Sequence, residues 1–144
     1  MDRLELQKRF RERLLDTTKK NASGVLIKAE DTNRVLLLLR NEYAGNNTWS
    51  LVSGGMEKNE NPLETIKREV KEELSINPDI IKYNFINKQY IPDKNLDFYY
   101  FQGFTPNEFL PKLDRENLKW GWFDKDKLPS PLFNKDMANK IKHI

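Results

Sequence analysis

Apolar positions recur along this chain in two rhythms, and the places where the rhythm changes mark out its elements. Leu63, Ile66, Val70 and Leu74 fall at helical spacing, which predicts a helix with one side to bury. Asn61 is a good N-cap, Pro62 suits the first helical position, and Glu64 stands where a capping box needs its acid. Upstream, Ser23 to Ala29 and Arg34 to Arg40 are β-branched or leucine-rich runs separated by Glu30-Asp31-Thr32-Asn33, a hairpin signal. The run Val35-Leu36-Leu37-Leu38-Leu39 does not alternate, so it is expected as a central strand buried on both faces and closed by Arg40. Downstream, Asn77-Pro78-Asp79 breaks the chain. Tyr83 to Ile91 and Asp97 to Phe104 then read as two strands joined by Pro92-Asp93-Lys94-Asn95, and Asn134 to Ile144 as a closing helix. Leu4, Leu6, Phe10, Leu14 and Leu15 make a loosely amphipathic helix. Residues 1–20 are therefore taken as an N-terminal helical extension and residues 21–144 as the main domain. The order of elements implies an α+β fold, a mixed sheet flanked by helices.

Composition narrows the class without naming it. A chain of 144 residues suits one domain and can bury roughly 70% of its unfolded surface. There is no Cys, which removes disulfides, thiolate metal sites and a Cys nucleophile together. No apolar run approaches the ~20 residues of a membrane helix, and the charged N-terminus lacks the apolar segment of a signal peptide. No membrane partner is expected, and the location expected is cytoplasmic. The net charge of +3 and pI near 9.0 favour polyphosphate ligands mildly and do not diagnose nucleic-acid binding. Basic residues do bunch near the N-terminus, at Lys8, Arg9, Arg11, Arg13, Lys19 and Lys20, where the simplest reading is a solvated helix face.

The predicted helix after Pro62 carries the chemistry. Glu69, Glu72 and Glu73 stand at i, i+3 and i+4, so their carboxylates emerge from adjacent turns of one side. Such a cluster is either a solvated acidic face or the seat of a counter-charge, for which an oxygen-seeking divalent cation is suited. On a helical wheel Glu69 and Glu73 flank the apolar stripe and Glu72 lies slightly farther round, a rim position between core and solvent.

Gly54, then Glu60, Arg68, Glu69, Val70, Glu72, Glu73 and Ile76 match at every charged position the signature of the Nudix hydrolases, which this chain resembles. Ser75 departs from the pattern, standing where the family has Gly at the helix end, a place that asks for left-handed backbone. The resemblance extends to about three quarters of the chain. Trp49 to Gly55 looks like the short strand leading into the family's glycine turn, Glu57 falls where many members carry an extra acid, and Trp120 to Phe123 resembles a late strand. It implies a Nudix-type α/β/α sandwich and a pyrophosphohydrolase using Mg²⁺ or Mn²⁺. By the same analogy Glu69, Glu73 and Glu72 are ligands with the carbonyl of Gly54, and Arg68 pairs with Glu60 to hold the loop, pointing off to another side from the acids. Glu116, approaching the late strand, is implied as a further metal ligand or as the base.

Substrate choice lies outside that signature. Arg40 could bind a phosphate as a bidentate donor or simply cap its strand. Tyr43, Tyr99, Tyr100 and Trp120 could stack a base or belong to the core. Pro92 lies about where sugar-nucleotide members such as ADP-ribose pyrophosphatases tend to carry a proline. The expected ligand is accordingly a small nucleotide of that kind. Free nucleoside triphosphates, the 5′ end of RNA and a non-catalytic nucleotide-binding role are the alternatives, and oligomeric state is open.

Overall fold

The computed structural model describes residues 2–8 and 18–144. Seven strands form one mixed sheet: β1 (Lys20–Ala29), β2 (Val35–Arg40), β3 (Trp49–Ser50), β4 (Val52–Gly55), β5 (Lys82–Ile91), β6 (Leu96–Thr105) and β7 (Asn117–Phe123). The order is β3-β2-β1-β6-β5, with β4 also pairing β1 and β7 also pairing β2. All pairings are antiparallel except β1 with β6. Among the described residues from 18 onward, three α-helices accompany it: α1 (Glu42–Gly45), α2 (Pro62–Leu74) and α3 (Asp136–Lys142).

The sheet is covered on both sides, which explains its uninterrupted leucines. Leu36 and Leu38 of β2 join Val25, Ile27, Ile66, Val70 and Leu74 in the core under α2. Val35 and Leu37 join Leu26, Met137 and Ile141 in the core under α3. Successive strand residues point to opposite faces, so a strand that is apolar at every position requires a layer on each side. The α/β/α arrangement of this α+β fold follows from that.

Several expectations shift in detail. The stretch Trp49–Gly55 is not one strand: it breaks at Leu51, β3 pairing with β2 and β4 with β1, because the segment crosses between two neighbours. Leu63, the first residue of the expected stripe, is 37% exposed, while Ile66, Val70 and Leu74 are fully buried. Lys20 belongs to β1, its N–H donating to the Asn95 carbonyl at 2.9 Å, so the strand takes the last residue assigned to the N-terminal extension. Residues 3–8 are helical and exposed; Phe10, Leu14, Leu15, Arg9, Arg11 and Arg13 lie outside the described residues. Asn134 precedes α3 and accepts from the Met137 N–H at 3.0 Å. Among the described residues no helix is long and apolar enough to cross a membrane.

Candidate active site

The start of α2 is set by its capping box: the Asn61 side chain accepts from the Glu64 N–H at 2.8 Å, and Glu64 accepts from the Asn61 N–H at 3.0 Å. Its end is set by Ser75, which adopts the left-handed conformation (φ 56°) and donates its N–H to the Lys71 carbonyl. A non-glycine residue there carries a strain of about 1–2 kcal/mol. Between those ends Arg68 ties the helix to the turn before it. Its Nε and Nη2 grip both oxygens of Glu60 at 2.7 and 3.0 Å, and Nη2 also donates to the Gly55 carbonyl at 2.8 Å. Those hydrogen bonds, Arg68 first, pull the Glu60 carboxyl down to about 2.

Arg68 does not point clear of the acids, as the wheel suggests. Its Nη1 reaches Glu69 at 2.7 Å and Glu72 at 3.2 Å, because a side chain this long covers neighbouring turns whatever the direction of its Cβ. Glu69 is pressed under the glycine turn: a Cβ on Gly54 would lie 2.1 Å from the Glu69 carboxylate. Glycine is required here by close approach, since no glycine has positive φ. Glu72 remains half-exposed on the rim.

Glu73 is not on the rim at all. Its side chain is fully buried, and neither carboxylate oxygen has a hydrogen-bond partner. Burial pushes its carboxyl up to about 9; Arg40 opposes the shift, and Glu69, Asp114 and Glu116 add to it. Glu73, Asp114 and Glu116 can each present an oxygen such that all lie within 4.8 Å of one another. The loop before β7 makes this possible. Asp114 Oδ1 accepts from the Glu116 N–H at 3.1 Å and from Asn117 Nδ2 at 3.0 Å, and the Glu116 carbonyl accepts from the Asn41 N–H at 2.8 Å. A buried carboxylate with two unsatisfied oxygens, facing two more carboxylates, is a donor set suited to a hard divalent cation. Glu69 and Glu72, held by Arg68, stand outside this three-carboxylate group. Asp114 was missed in the sequence; the available signal was a second acid two residues before Glu116 on the same approach to a strand.

Arg40 is the hinge between this centre and a cavity on the α3 face. Its Nη2 lies 3.3 Å from Glu116 and 3.8 Å from Glu73, its Nη1 is 3.4 Å from Ser53 Oγ, and its buried Nε has no partner. Its stem fills the space beside Gly45, where an added Cβ would meet it at 2.7 Å. The cavity, about 420 Å³, is lined by Arg40, Gly54 and Gly55 together with Phe98, Phe133 and Lys140. Neither of the other two residues expected to bind substrate lines it. Tyr43, on α1, is 93% exposed. Trp120 pairs with Leu38 in the sheet and packs on the α2 side, lining a separate cleft with Arg34 and Trp122. Tyr99 packs against the core under α2 and Tyr100 is buried in the core under α3. The aromatics that do line the cavity come from β6 and from the segment before α3, too far apart in sequence to form a readable pattern.

Comparison with known proteins places the chain by family and by fold. The NUDIX domain model matches residues 18–144. Over 55 residues, 38% of the chain, the sequence is 43% identical to an RNA pyrophosphohydrolase of Halorhodospira halophila, covering 28% of that protein. Over 116 residues, 79% of the chain, it is 28% identical to the m7GpppN-mRNA hydrolase of Saccharomyces cerevisiae, covering 12% of it. The chain thus spans 28% and 12% of the lengths of these two relatives. A solved C. elegans Ap4A hydrolase superposes with a TM-score of 0.71 at 17% identity, over 85% of this chain and 93% of that one, a likeness of fold. With a family match across nearly the whole chain, an acid-bearing helix after a glycine turn, and that fold beneath them, the chain belongs to the Nudix hydrolase family.

Proposed function

We propose that the protein is a divalent-metal-dependent pyrophosphohydrolase that cleaves a phosphoanhydride bond in a nucleoside diphosphate derivative, with ADP-ribose-like and sugar nucleotides favoured. The observation that carries this reading is Glu73, buried with two unsatisfied oxygens among Asp114, Glu116 and Arg40 at the mouth of the cavity. Glu73, Asp114 and Glu116 would hold Mg²⁺ or Mn²⁺, with Glu69, Glu72 and the Gly54 carbonyl close enough in the chain to share in it. When bound, the ion supplies charge neutralisation on the phosphoryl oxygens and acidifies water. Glu116, half-exposed at the rim, is placed to accept a proton from water. Arg40 offers a planar fork to a phosphate from the strand end, and Arg68 keeps the glycine turn on the helix through Glu60. One water adds to one phosphorus, and the anhydride oxygen departs with the other product.

Support for a small nucleotide comes from the cavity, whose Phe98 and Phe133 faces suit a base. A second reading, hydrolysis at the 5′ end of RNA, is favoured by the names of the two sequence relatives. Incubation with Mg²⁺ and a panel of ADP-ribose, sugar nucleotides, nucleoside triphosphates and a 5′-triphosphorylated oligoribonucleotide, with products weighed by mass, tests both. AMP and ribose 5-phosphate from ADP-ribose are expected. Release of pyrophosphate from the oligonucleotide alone would establish the second reading, and nucleotide binding without any product would make the protein a binding module.

A further inference from the structure

In the same cavity, two lysines lie over aromatic rings without an ion pair among the described residues. Lys140 of α3 holds its Nζ 4.5 Å from the centre of the Tyr100 ring and 5.5 Å from that of Phe98. Lys94, in the turn between β5 and β6, stands 5.2 Å from the centre of the Phe133 ring. Both line the cavity, where three cations, with Arg40 as the third, face the single carboxylate of Asp136. Several other cations are held by carboxylates. Arg34 is clamped by Glu108, Arg68 by Glu60, and Lys19 and Lys88 share Asp97. Among the described residues neither Lys140 nor Lys94 makes an ion pair. Lys140 is half-buried, and burial lowers its pKa with Asp136 only partly opposing. A desolvated ammonium whose surroundings are ring faces keeps most of its capacity to donate hydrogen bonds.

The geometry points to an anion subsite at Lys140, assisted by Lys94, that receives a phosphate of the substrate remote from the bond being cleaved. The inference rests on the cavity being the substrate site. Arg40 and Gly54, which line the cavity, also border the acid centre, so a ligand with its phosphoanhydride there extends its nucleoside into the cavity that Lys94 and Lys140 line. The substrate class is then a nucleotide carrying a phosphate monoester in addition to the cleaved diphosphate. Plain ADP-ribose would leave the subsite without its anion.

Binding without divalent cation separates the subsite from catalysis. Calorimetric titration of AMP and of adenosine 2′,5′- and 3′,5′-bisphosphate into the wild-type protein should show that the added phosphate in one of the two raises affinity about tenfold, the scale of one charge-assisted hydrogen bond. Lys140→Gln should abolish that gain, Lys140→Arg should keep most of it, and Lys94→Gln, a change on an exposed turn, should reduce it. Equal affinities for AMP and both bisphosphates in the wild type, or a gain that survives Lys140→Gln, would overturn the subsite. The wild-type comparison stands even if Lys140→Gln fails to fold. Loss of all turnover in the Mg²⁺ panel with the gain intact would refute the hydrolase and leave the subsite; turnover without the gain would refute the subsite alone.

Discussion

The two faces of the sheet build their parts of the proposed site from different amounts of chain. On the α2 face most of the charged side chains come from one continuous stretch, Gly54 to Ile76, with Arg40, Asp114 and Glu116 arriving from elsewhere. On the α3 face the cavity is gathered from β1 to β6 and from α3. The difference reflects what each side must supply. Carboxylates around a cation need fixed mutual angles; one helix sets those among Glu69, Glu72 and Glu73, and the loop before β7 brings Asp114 and Glu116 to Glu73. A cavity needs volume and lining, which any set of converging segments provides.

If that division is right, the largest effect belongs to the acid face. Glu73→Gln keeps the shape of the side chain and removes the charge, so turnover should fall by about 10² or more. The melting temperature should hold or rise, because a buried carboxylate without partners is gone. Unchanged turnover, measured beside a thermal melt, would detach the buried acid from the chemistry and dissolve the comparison.

Asp114→Asn sharpens it further, since Asp114 is the acid the helix does not supply. Its amide oxygen can still accept from Asn117, which leaves the loop in place. Divalent-ion affinity, read as a thermal shift against Mn²⁺ concentration, should weaken about tenfold. No change would return the centre to α2 alone.

Glu60 and Arg68 make a smaller, pH-dependent contribution. The Glu60 carboxyl lies at about 2 in the folded protein against an ordinary 4.5. A depressed acid stabilises the fold above its unfolded value and loses that contribution as pH falls through the folded one. Glu60→Gln should therefore melt lower than wild type at pH 7, and the gap should close between pH 4.5 and 2. A gap independent of pH would mean that the clamp works by shape and not charge.

Tyr43→Ala should do least of all. At 93% exposure and away from the cavity, it is expected to alter stability by no more than about 0.5 kcal/mol. Kinetics with the best substrate should be unaltered. A tenfold rise in KM would draw α1 into substrate binding and enlarge the cavity side of the comparison.

The helix, its capping box, the acids on one side and the two-sided burial of β2 were all legible in the sequence, because each depends on residues within a few positions of one another. Periodicity and caps are local physics. The sequence did not reveal that Glu73 is wholly buried, that Arg68 bends back over Glu69 and Glu72, or that Asp114 joins Glu116. Those follow from the packing of α2 onto β4, where Glu69 meets Gly54, and from the loop before β7 folding back to Asn41. The same holds for the cavity side: Tyr43 and Trp120 look as apt for stacking as Phe98 and Phe133 until the fold leaves Tyr43 exposed and turns Trp120 to the α2 face. The sequence by itself determined that Glu69, Glu72 and Glu73 share one side of a helix, since one helix sets their spacing. Tertiary structure alone decided which oxygens lose their water and which rings and lysines line the cavity, because burial depends on the segments that converge there from distant parts of the chain.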